Sequence, residues 1–271
     1  MPHAKFGFSI STPPVVLNLI IINALMLLLT YMFRSSFSID LVEMLGLYYP
    51  GSEHFRPYQV VTHMFMHGGI DHLIFNMLAL WMFGRVLEQV WGGKRFLFYY
   101  LATGLGAAAL HTLVNFIEIT HLKNLANALL ENFTPETFAA FVQSHFADYY
   151  PQVLDHGLAA WTQDPSNLSL MAKCQELTHE LIHLQMDIPT VGASGAVFGV
   201  LLAFGVLFPN AVIYLLIPPI PIKAKWFVIL YAALELYLGV SQPGSTIAHF
   251  AHLGGMLFGL LILWYWRRSK N

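Results

Sequence analysis

Residues 191–200 read VGASGAVFGV, and the interpretation of this stretch decides which fold the sequence predicts. The segment is apolar enough to be a membrane helix, yet Ser194 stands near its start. Burying a polar side chain at membrane depth costs free energy, so we expect such a residue to have a structural or functional role. The alternative is a packing role, since Gly195 and Gly199 form a GxxxG pattern that lets two helices approach closely.

The composition of the chain indicates an integral membrane protein. Of its 271 residues, 56% are hydrophobic and only 10% are charged, whereas soluble domains average about 25% charged residues. The net charge of −2 does not provide the basic surface that nucleic acid requires, so we expect no nucleic-acid partner. The single cysteine, Cys174, excludes an internal disulfide and a zinc site made of several thiolates.

Six apolar stretches approach the length of about 20 residues that a membrane-spanning helix needs. They lie at about 14–34, 71–90, 96–117, 192–209, 226–241 and 249–267. The first is too long for a signal-peptide core, so we interpret it as a retained helix. The fifth is short and carries Glu235. Before it, three prolines within residues 211–223 exclude a continuous helix and indicate a re-entrant or surface-lying connection.

Two stretches are too polar to span a membrane. Residues 35–70 are rich in aromatic residues and methionine, which favours short helices in the membrane interface. Residues 118–188 form an acidic insert, in which Thr134 followed by Pro135 is typical of a helix start. We therefore predict an all-α membrane protein. Its single domain, residues 1–271, is a bundle of six transmembrane helices with a partly helical extramembrane insert between helices three and four.

The positions of the basic residues predict the orientation of this bundle. If the N-terminus is cytoplasmic, nine of the thirteen Lys and Arg residues fall on the cytoplasmic side, as the positive-inside rule expects. Both termini are then cytoplasmic. The loop before the second helix and the starts of the fourth and sixth helices then face the external side. The compact chain without targeting extensions favours a bacterial cytoplasmic (inner) membrane.

Three groups of polar residues fall on that external side. Ser194 begins the fourth helix, where free backbone N–H groups and the helix dipole stabilise negative charge. His249 and His252 begin the sixth helix, and a nucleophilic serine needs such a base within hydrogen-bonding distance. His72 and Asn76 share one face of the second helix and offer donors for an oxyanion hole. The coincidence of the three groups favours a serine-hydrolase site.

The histidines also allow other interpretations. His63 and His67 are four residues apart, and together with His249 and His252 they have spacings that suit a metal site. The sequence contains no HExxH motif, however, and Asp71 is the one acidic residue placed beside these histidines. We therefore predict no metal and no cofactor. A further alternative is that the histidines only anchor turns at the water interface.

Taken in order, these segments resemble the rhomboid family of intramembrane serine proteases. The resemblance rests on MHGGIDHLIFNM (66–77), FGRVLEQVWGGKRFLFYYL (83–101), VGASGAVFG (191–199) and AHFAHLGGMLFGL (248–260). Together with the six-helix layout, it covers the chain apart from the insert. It implies a serine endopeptidase that cleaves transmembrane protein substrates in the lipid bilayer through an acyl-enzyme.

The resemblance also implies roles for individual residues. It implies a Ser–His dyad without an acidic third member, with Ser194 as nucleophile and His252 as base. His249 falls at a neighbouring, non-catalytic position. The oxyanion is then stabilised by His72, Asn76 and the backbone N–H of Ser194. The supporting positions are Phe198, where the family often stacks an aromatic ring on the imidazole, and Gly192 and Gly195 beside the nucleophile.

Two departures from the family pattern stand out. Many bacterial members carry Trp-Arg in the first external loop, where this chain has Tyr58-Gln59 with Arg56 close by. The insert 118–188 is much longer than the usual connection and lies directly before Ser194, so we expect it to gate substrates or bind a partner. The competing functions are a rhomboid-like binding or quality-control protein that does not cut, and a transporter or metal-handling protein that uses the histidines.

Overall fold

The computed structural model describes residues 12–214, 220–241 and 248–269. The described chain forms two compact units. The first contains the residues up to Tyr48, His54–Thr112 and the residues from Pro189 onward. The second contains Tyr49–Glu53 and Leu113–Ile188, and therefore includes the insert predicted at 118–188.

Twelve helices and two short strands make up the described residues. In chain order the helices are α1 (Pro14–Phe37), α2 (Leu41–Leu45), α3 (Gln59–Thr62), α4 (Ile70–Trp91), α5 (Gly93–Glu131), α6 (Pro135–His145), α7 (Tyr150–Val153), α8 (Ala159–Gln163), α9 (Leu168–Met186), α10 (Ser194–Leu207), α11 (Ala224–Ser241) and α12 (His249–Arg268). Short 3₁₀ turns, His63–Phe65 and Ala147–Tyr149, follow α3 and precede α7. Wider π turns, Leu80–Gly84 and Leu154–Leu158, interrupt α4 and join α7 to α8.

Within the described chain, five helices are long and apolar enough to cross a membrane: α1, α4, α5, α11 and α12. The protein is an all-α, multi-pass integral membrane protein, as its composition predicts. The fourth predicted span, 192–209, is shorter in the structure, where α10 has only 14 residues. Nine of the 14 are buried. An apolar helix of this length is typical of a buried core helix, which need not match the thickness of the bilayer.

Small residues bring α10 and α12 into close contact. A methyl group added at Gly255 would overlap the backbone of Gly195. Gly199 lies against Thr103 of α5 in the same way, and its carbonyl oxygen accepts a hydrogen bond of 2.9 Å from the Tyr99 hydroxyl. The close helix approach that the GxxxG pattern of Gly195 and Gly199 allows is therefore present between α10 and α12. It fixes the separation between the residues at the starts of α10 and α12.

A buried carboxylate holds the start of α1. The backbone N–H groups of Val15 and Val16 donate to the two carboxylate oxygens of Glu88, at 3.0 and 2.7 Å. The helix begins after Pro13 and has no capping side chain of its own. Glu88 on α4 therefore satisfies N–H groups that have no acceptor within α1, and its charge lies at the positive end of the helix dipole.

The second unit is helical and has its own hydrophobic core, centred on Phe138, Val142 and Trp161. Thr134 caps α6, and Pro135 occupies its first turn, which confirms the helix start predicted there. The third predicted span, 96–117, is part of the longer helix α5, whose residues beyond Thr112 belong to this unit. Within the second unit, the Ser52 hydroxyl donates to a carboxylate oxygen of Asp187 at 2.5 Å.

The connection predicted at 211–223 contains two strands that the sequence did not indicate. Strand β1 (Val212–Tyr214) pairs antiparallel with β2 (Pro221–Lys223). The central residues 215–219, which carry two of the three prolines, lie outside the described residues. Pro221 starts β2, a position that a proline tolerates because it need not donate to the ladder there.

Candidate active site

The turn before α10 determines where Ser194 lies. Gly192 has a φ of 129°, a left-handed conformation that favours glycine. Its N–H donates to the His63 carbonyl oxygen at 2.9 Å, which ties the turn to the segment after α3. A methyl group at Gly192 would also overlap the imidazole of His72. Ser194 is then the first residue of α10, and the N-cap residue before it, Ala193, makes no capping hydrogen bond through its side chain.

The side chains of Ser194 and His252 meet across α10 and α12. The serine Oγ lies 2.9 Å from His252 Nε2, which is hydrogen-bonding distance. The ring of Phe198, one turn further along α10, stacks on the His252 imidazole with centroids 4.1 Å apart and planes inclined by 4°. His252 is 9% exposed, so its orientation is fixed by packing on one face and by its hydrogen bonds at the edge.

The implied absence of an acidic residue beside the base is corrected by the structure. His252 Nδ1 lies 2.9 Å from Oε2 of Glu235 on α11. His249, assigned a non-catalytic position, places its Nδ1 2.7 Å from the same oxygen. One signal in the sequence pointed to Glu235, because a lone carboxylate within a predicted span is a functional candidate. Its partners could not be identified from the sequence, since packing of α11 on α12 brings them together.

Glu235, His249 and His252 are also close enough to be considered as metal ligands, since their nitrogen and oxygen atoms lie within 4.8 Å of one another. Ligands around a tetrahedral zinc ion lie about 3.4 Å apart, given zinc–ligand bonds of about 2.1 Å. The two nitrogen–oxygen separations, 2.7 and 2.9 Å, are instead those of direct hydrogen bonds. His252 Nε2 is occupied by the serine hydroxyl. We therefore describe the group as a carboxylate that accepts two hydrogen bonds.

Two side chains of α4, His72 and Asn76, are candidate donors to an oxyanion. The imidazole of His72 lies against Gly192, two residues before Ser194. Asn76 is buried, and its Nδ2 has no hydrogen-bond partner among the described residues. The first backbone N–H groups of α10 likewise have no acceptor within the helix. These donors provide the kind of surroundings in which an oxyanion is stabilised.

The histidines that suggested a metal site have other surroundings. His63 Nδ1 donates to the Gln59 carbonyl oxygen at 2.9 Å, and burial lowers the pKa of His63. Burial, and next the nearby His72, lower the pKa of His67 to about 4. Both imidazoles are therefore neutral at pH 7. Further along, His111 Nε2 lies 2.8 Å from the Thr190 hydroxyl.

Gln59 takes a structural position in the loop before α4. Its side chain is 1% exposed, and its amide nitrogen donates to the carbonyl oxygens of Met44 and His54 at 3.2 and 3.0 Å. Its amide oxygen accepts from the backbone N–H of Arg56 at 2.9 Å. In this chain, Gln59 thus holds together the loop in which many bacterial rhomboids carry Trp-Arg.

The family model of the Rhomboid domain matches residues 54–119 and 168–269, which is more than half of the chain. The chain belongs to the rhomboid family. Both matched segments include parts of the site, because the first contains His72 and Asn76 and the second contains Ser194 and His252. The unmatched stretch between them lies within the insert of this rhomboid.

Relatives of this rhomboid come from eukaryotes and bacteria. It is 26% identical over 206 residues to "Rhomboid protein 1, mitochondrial" of Saccharomyces cerevisiae, covering 76% of this chain and 41% of the yeast protein. It is 25% identical over 249 residues to "RHOMBOID-like protein 12, mitochondrial" of Arabidopsis thaliana, covering 91% and 56%. Over 48 residues it is 46% identical to "Rhomboid protease GluP" of Bacillus subtilis, covering 18% and 10%. The matched part of this chain thus spans about half the length of the first two relatives.

Proposed function

We propose that this rhomboid is an intramembrane serine endopeptidase that cleaves transmembrane segments of other membrane proteins. The observation that carries the proposal is the 2.9 Å contact between Ser194 Oγ and His252 Nε2 at the start of a helix. A serine becomes a nucleophile when a base lies at this distance. The Bacillus subtilis relative named as a rhomboid protease supports the same activity.

The reaction proceeds through an acyl-enzyme. Ser194 Oγ attacks the carbonyl carbon of the scissile peptide bond while His252 Nε2 takes the hydroxyl proton. When the tetrahedral intermediate collapses, the C–N bond breaks and His252 gives that proton to the leaving amine. A water molecule then attacks the ester, His252 again accepts the proton, and Ser194 leaves with it as a hydroxyl.

Negative charge on the tetrahedral oxygen is stabilised by donors from two helices. We assign this role to Asn76 Nδ2, the His72 imidazole and the backbone N–H of Ser194. The unpaired state of Asn76 Nδ2 supports the assignment, because a buried donor without a partner is costly unless substrate supplies an acceptor. Each such donor is worth a few kcal/mol of barrier.

The position of the protein in the cell follows from its charges. We place both termini on the cytoplasmic side and the start of α10 towards the external face, because nine of thirteen basic residues then lie inside. Water reaches Ser194 from that face. We assign to the insert 118–188 the role of gating substrates or binding a partner, since it directly precedes the nucleophile in the chain.

Cleavage by reconstituted protein tests the proposed function. The full chain in proteoliposomes is mixed with a reporter whose transmembrane helix contains small and helix-breaking residues. Wild type is expected to cleave it, and Ser194→Ala to cleave at least about a thousandfold more slowly. Ser36→Ala, an exposed serine at the end of α1, is the matched control and should cleave normally. Undiminished cleavage by Ser194→Ala would refute the assignment. A folded wild type that binds the reporter without cutting it would support the binding-protein alternative.

A further inference from the structure

Glu235 is a buried carboxylate that a reaction by Ser194 and His252 alone does not require. It is 4% exposed, and burying a carboxylate costs several kcal/mol unless partners compensate. Its Oε2 accepts from His252 Nδ1 at 2.9 Å and from His249 Nδ1 at 2.7 Å. The buried carboxylate of Glu235 therefore lies at Nδ1 of His252, the ring nitrogen that is not in contact with Ser194.

We propose that Glu235 is a positioning residue that completes a Ser194–His252–Glu235 relay in this rhomboid. The inference rests on the proposed function. A hydrogen bond from Nδ1–H to the carboxylate leaves Nε2 without a proton, and this is the tautomer that can accept the proton of Ser194. Once His252 is protonated, the carboxylate also stabilises the positive imidazolium.

His249 acts on the relay through Glu235. Its Nδ1–H is the second donor to Oε2, so it limits rotation of the carboxylate about the side chain. Its Nε2 is buried and has no partner among the described residues. His249 thus helps to hold Oε2 of Glu235 against Nδ1 of His252.

Helix α11 holds the imidazole of His252 in two ways. Glu235 binds its edge, and Tyr231, one turn earlier, lies 4.9 Å from the ring of Phe198. Phe198 in turn stacks on the face of His252. Rotation of the imidazole out of the path of the Ser194 proton would break its hydrogen bond to Glu235 and its stacking on Phe198. This arrangement is the one expected of a base that must be aligned before substrate arrives.

Three further titratable groups of the described residues act on this pair, each from a different helix. His72 on α4 and His111 on α5 interact electrostatically with His252. Tyr231 on α11 interacts with Glu235. None of these three groups bears a negative charge near pH 7. Unlike these three groups, Glu235 therefore favours protonated His252 in the transition state.

The first test compares the pH profiles of wild type and Glu235→Gln with the reporter in proteoliposomes. The glutamine keeps an oxygen that accepts from Nδ1–H but loses the charge. We expect kcat to fall by about 10²- to 10⁴-fold, in the range that neutralising a triad carboxylate produces elsewhere. The acid limb of the profile moves to lower pH, because His252 is harder to protonate without the carboxylate. KM stays within about threefold, because Glu235 does not contact substrate.

Glu88→Gln is the matched control, because Glu88 is a buried carboxylate that also accepts two hydrogen bonds, far along the chain from the site. It is expected to lower stability while the position of the acid limb stays unchanged. If the role of Glu235 were purely structural, Glu235→Gln would likewise lower stability and leave the position of the acid limb unchanged. His249→Gln keeps the bond from His252 to Glu235, so its loss of kcat should be smaller than that of Glu235→Gln.

A second test needs no folded Glu235 variant and no activity. In ¹⁵N-histidine-labelled wild type, the chemical shifts of His252 report which ring nitrogen carries the proton, with His249→Gln used for assignment. We expect the proton on Nδ1 of His252, with a strongly downfield ¹H resonance. A proton on Nε2 would overturn the inference, as would a folded Glu235→Gln with an unchanged kcat and pH profile. An inactive wild type with the Nδ1–H tautomer would instead count against the proposed function alone.

Discussion

At the scale of single residues, the site combines satisfied and unsatisfied polar groups. His252 and Glu235 have hydrogen-bond partners at the atoms to which we assign the proton transfer. Asn76 Nδ2 and both ring nitrogens of His67 are buried without a partner among the described residues. Such groups lower the stability of the folded protein. Where substrate supplies the missing acceptor, the new hydrogen bond stabilises the transition state.

Asn76→Leu is therefore expected to separate stability from activity. The leucine has a similar shape and removes the unpaired donor, so the free energy of unfolding should stay the same or rise by about 1 kcal/mol. The rate of reporter cleavage should fall by about 10²- to 10³-fold through kcat, because an oxyanion donor is lost. Denaturant titration and cleavage kinetics on the same preparation measure both. A variant with wild-type kcat would remove Asn76 from the oxyanion hole.

His67 is expected to make the fold sensitive to acid. Its pKa is about 4 in the folded protein and about 6.5 in an unfolded chain. Between these values the unfolded chain binds a proton that the folded protein does not. Stability therefore falls as the pH drops through this window, by about 1.4 kcal/mol per pH unit.

His67→Phe removes this proton linkage while keeping a ring in the same space. Between pH 7 and pH 5, wild type should lose about 2 kcal/mol more unfolding free energy than the variant does. His63, whose pKa burial also lowers, is present in both proteins and cancels in the comparison. Equal losses in the two proteins would show that His67 is protonated as readily in the folded state as in the unfolded one.

At the scale of elements, the packing of α10 against α12 decides whether the site exists. Gly255 on α12 lies directly against the backbone of Gly195 on α10. Ser194 directly precedes Gly195 on α10, and His252 lies about one turn before Gly255 on α12. Their 2.9 Å separation is therefore a property of this helix contact as much as of the two side chains.

Gly255→Ala is expected to push the two helices apart and to reduce cleavage by about a hundredfold, since a displacement of about 1 Å can have that effect. The control is Gly68→Ala, because a methyl group there would meet no atom within 4 Å. Cleavage rates of both variants, with circular dichroism to verify the helices, measure the effect. Normal cleavage by Gly255→Ala would mean that the bundle repacks without disturbing the site.

The sequence predicts the helices and the candidate pair Ser194 and His252 better than it predicts the surroundings of that pair. The polar residues that interrupt apolar helices, Ser194 and His252, are visible because each breaks a strong local pattern. The partnership of Glu235 with the histidines is not visible, since it depends on how α11 packs against α12. The end of the third span was placed at residue 117, but α5 continues to Glu131, because a helix can leave the apolar region without a break in its hydrogen bonds.

At the scale of the whole molecule, the chain combines an apolar bundle with an acidic helical insert. The insert forms a compact unit with its own core around Trp161, which explains how so long a sequence can interrupt the family domain. Its existence and partial helicity follow from composition and from the cap at Thr134. Its separate core does not, because the buried positions of short helices show no clear period.

The orientation of the molecule can be measured with single cysteines. Cys174 is the one native cysteine, so Cys174→Ser gives a background without thiols. In a bacterial host, Ser166→Cys in the insert should react with an impermeant maleimide on intact spheroplasts, and Ser269→Cys after α12 only once the membrane is opened. Both positions are exposed in the fold, so burial does not prevent labelling. The opposite pattern would invert the proposed topology.

The central claim is that Ser194 is a nucleophile activated by His252, and a fluorophosphonate probe tests it most directly. Purified wild type in detergent should be labelled, with the adduct mapped to Ser194 by mass spectrometry. Ser194→Ala and His252→Ala, each verified as folded and helical, should remain unlabelled. A folded wild type that does not react, or equal labelling of wild type and His252→Ala, would contradict the account.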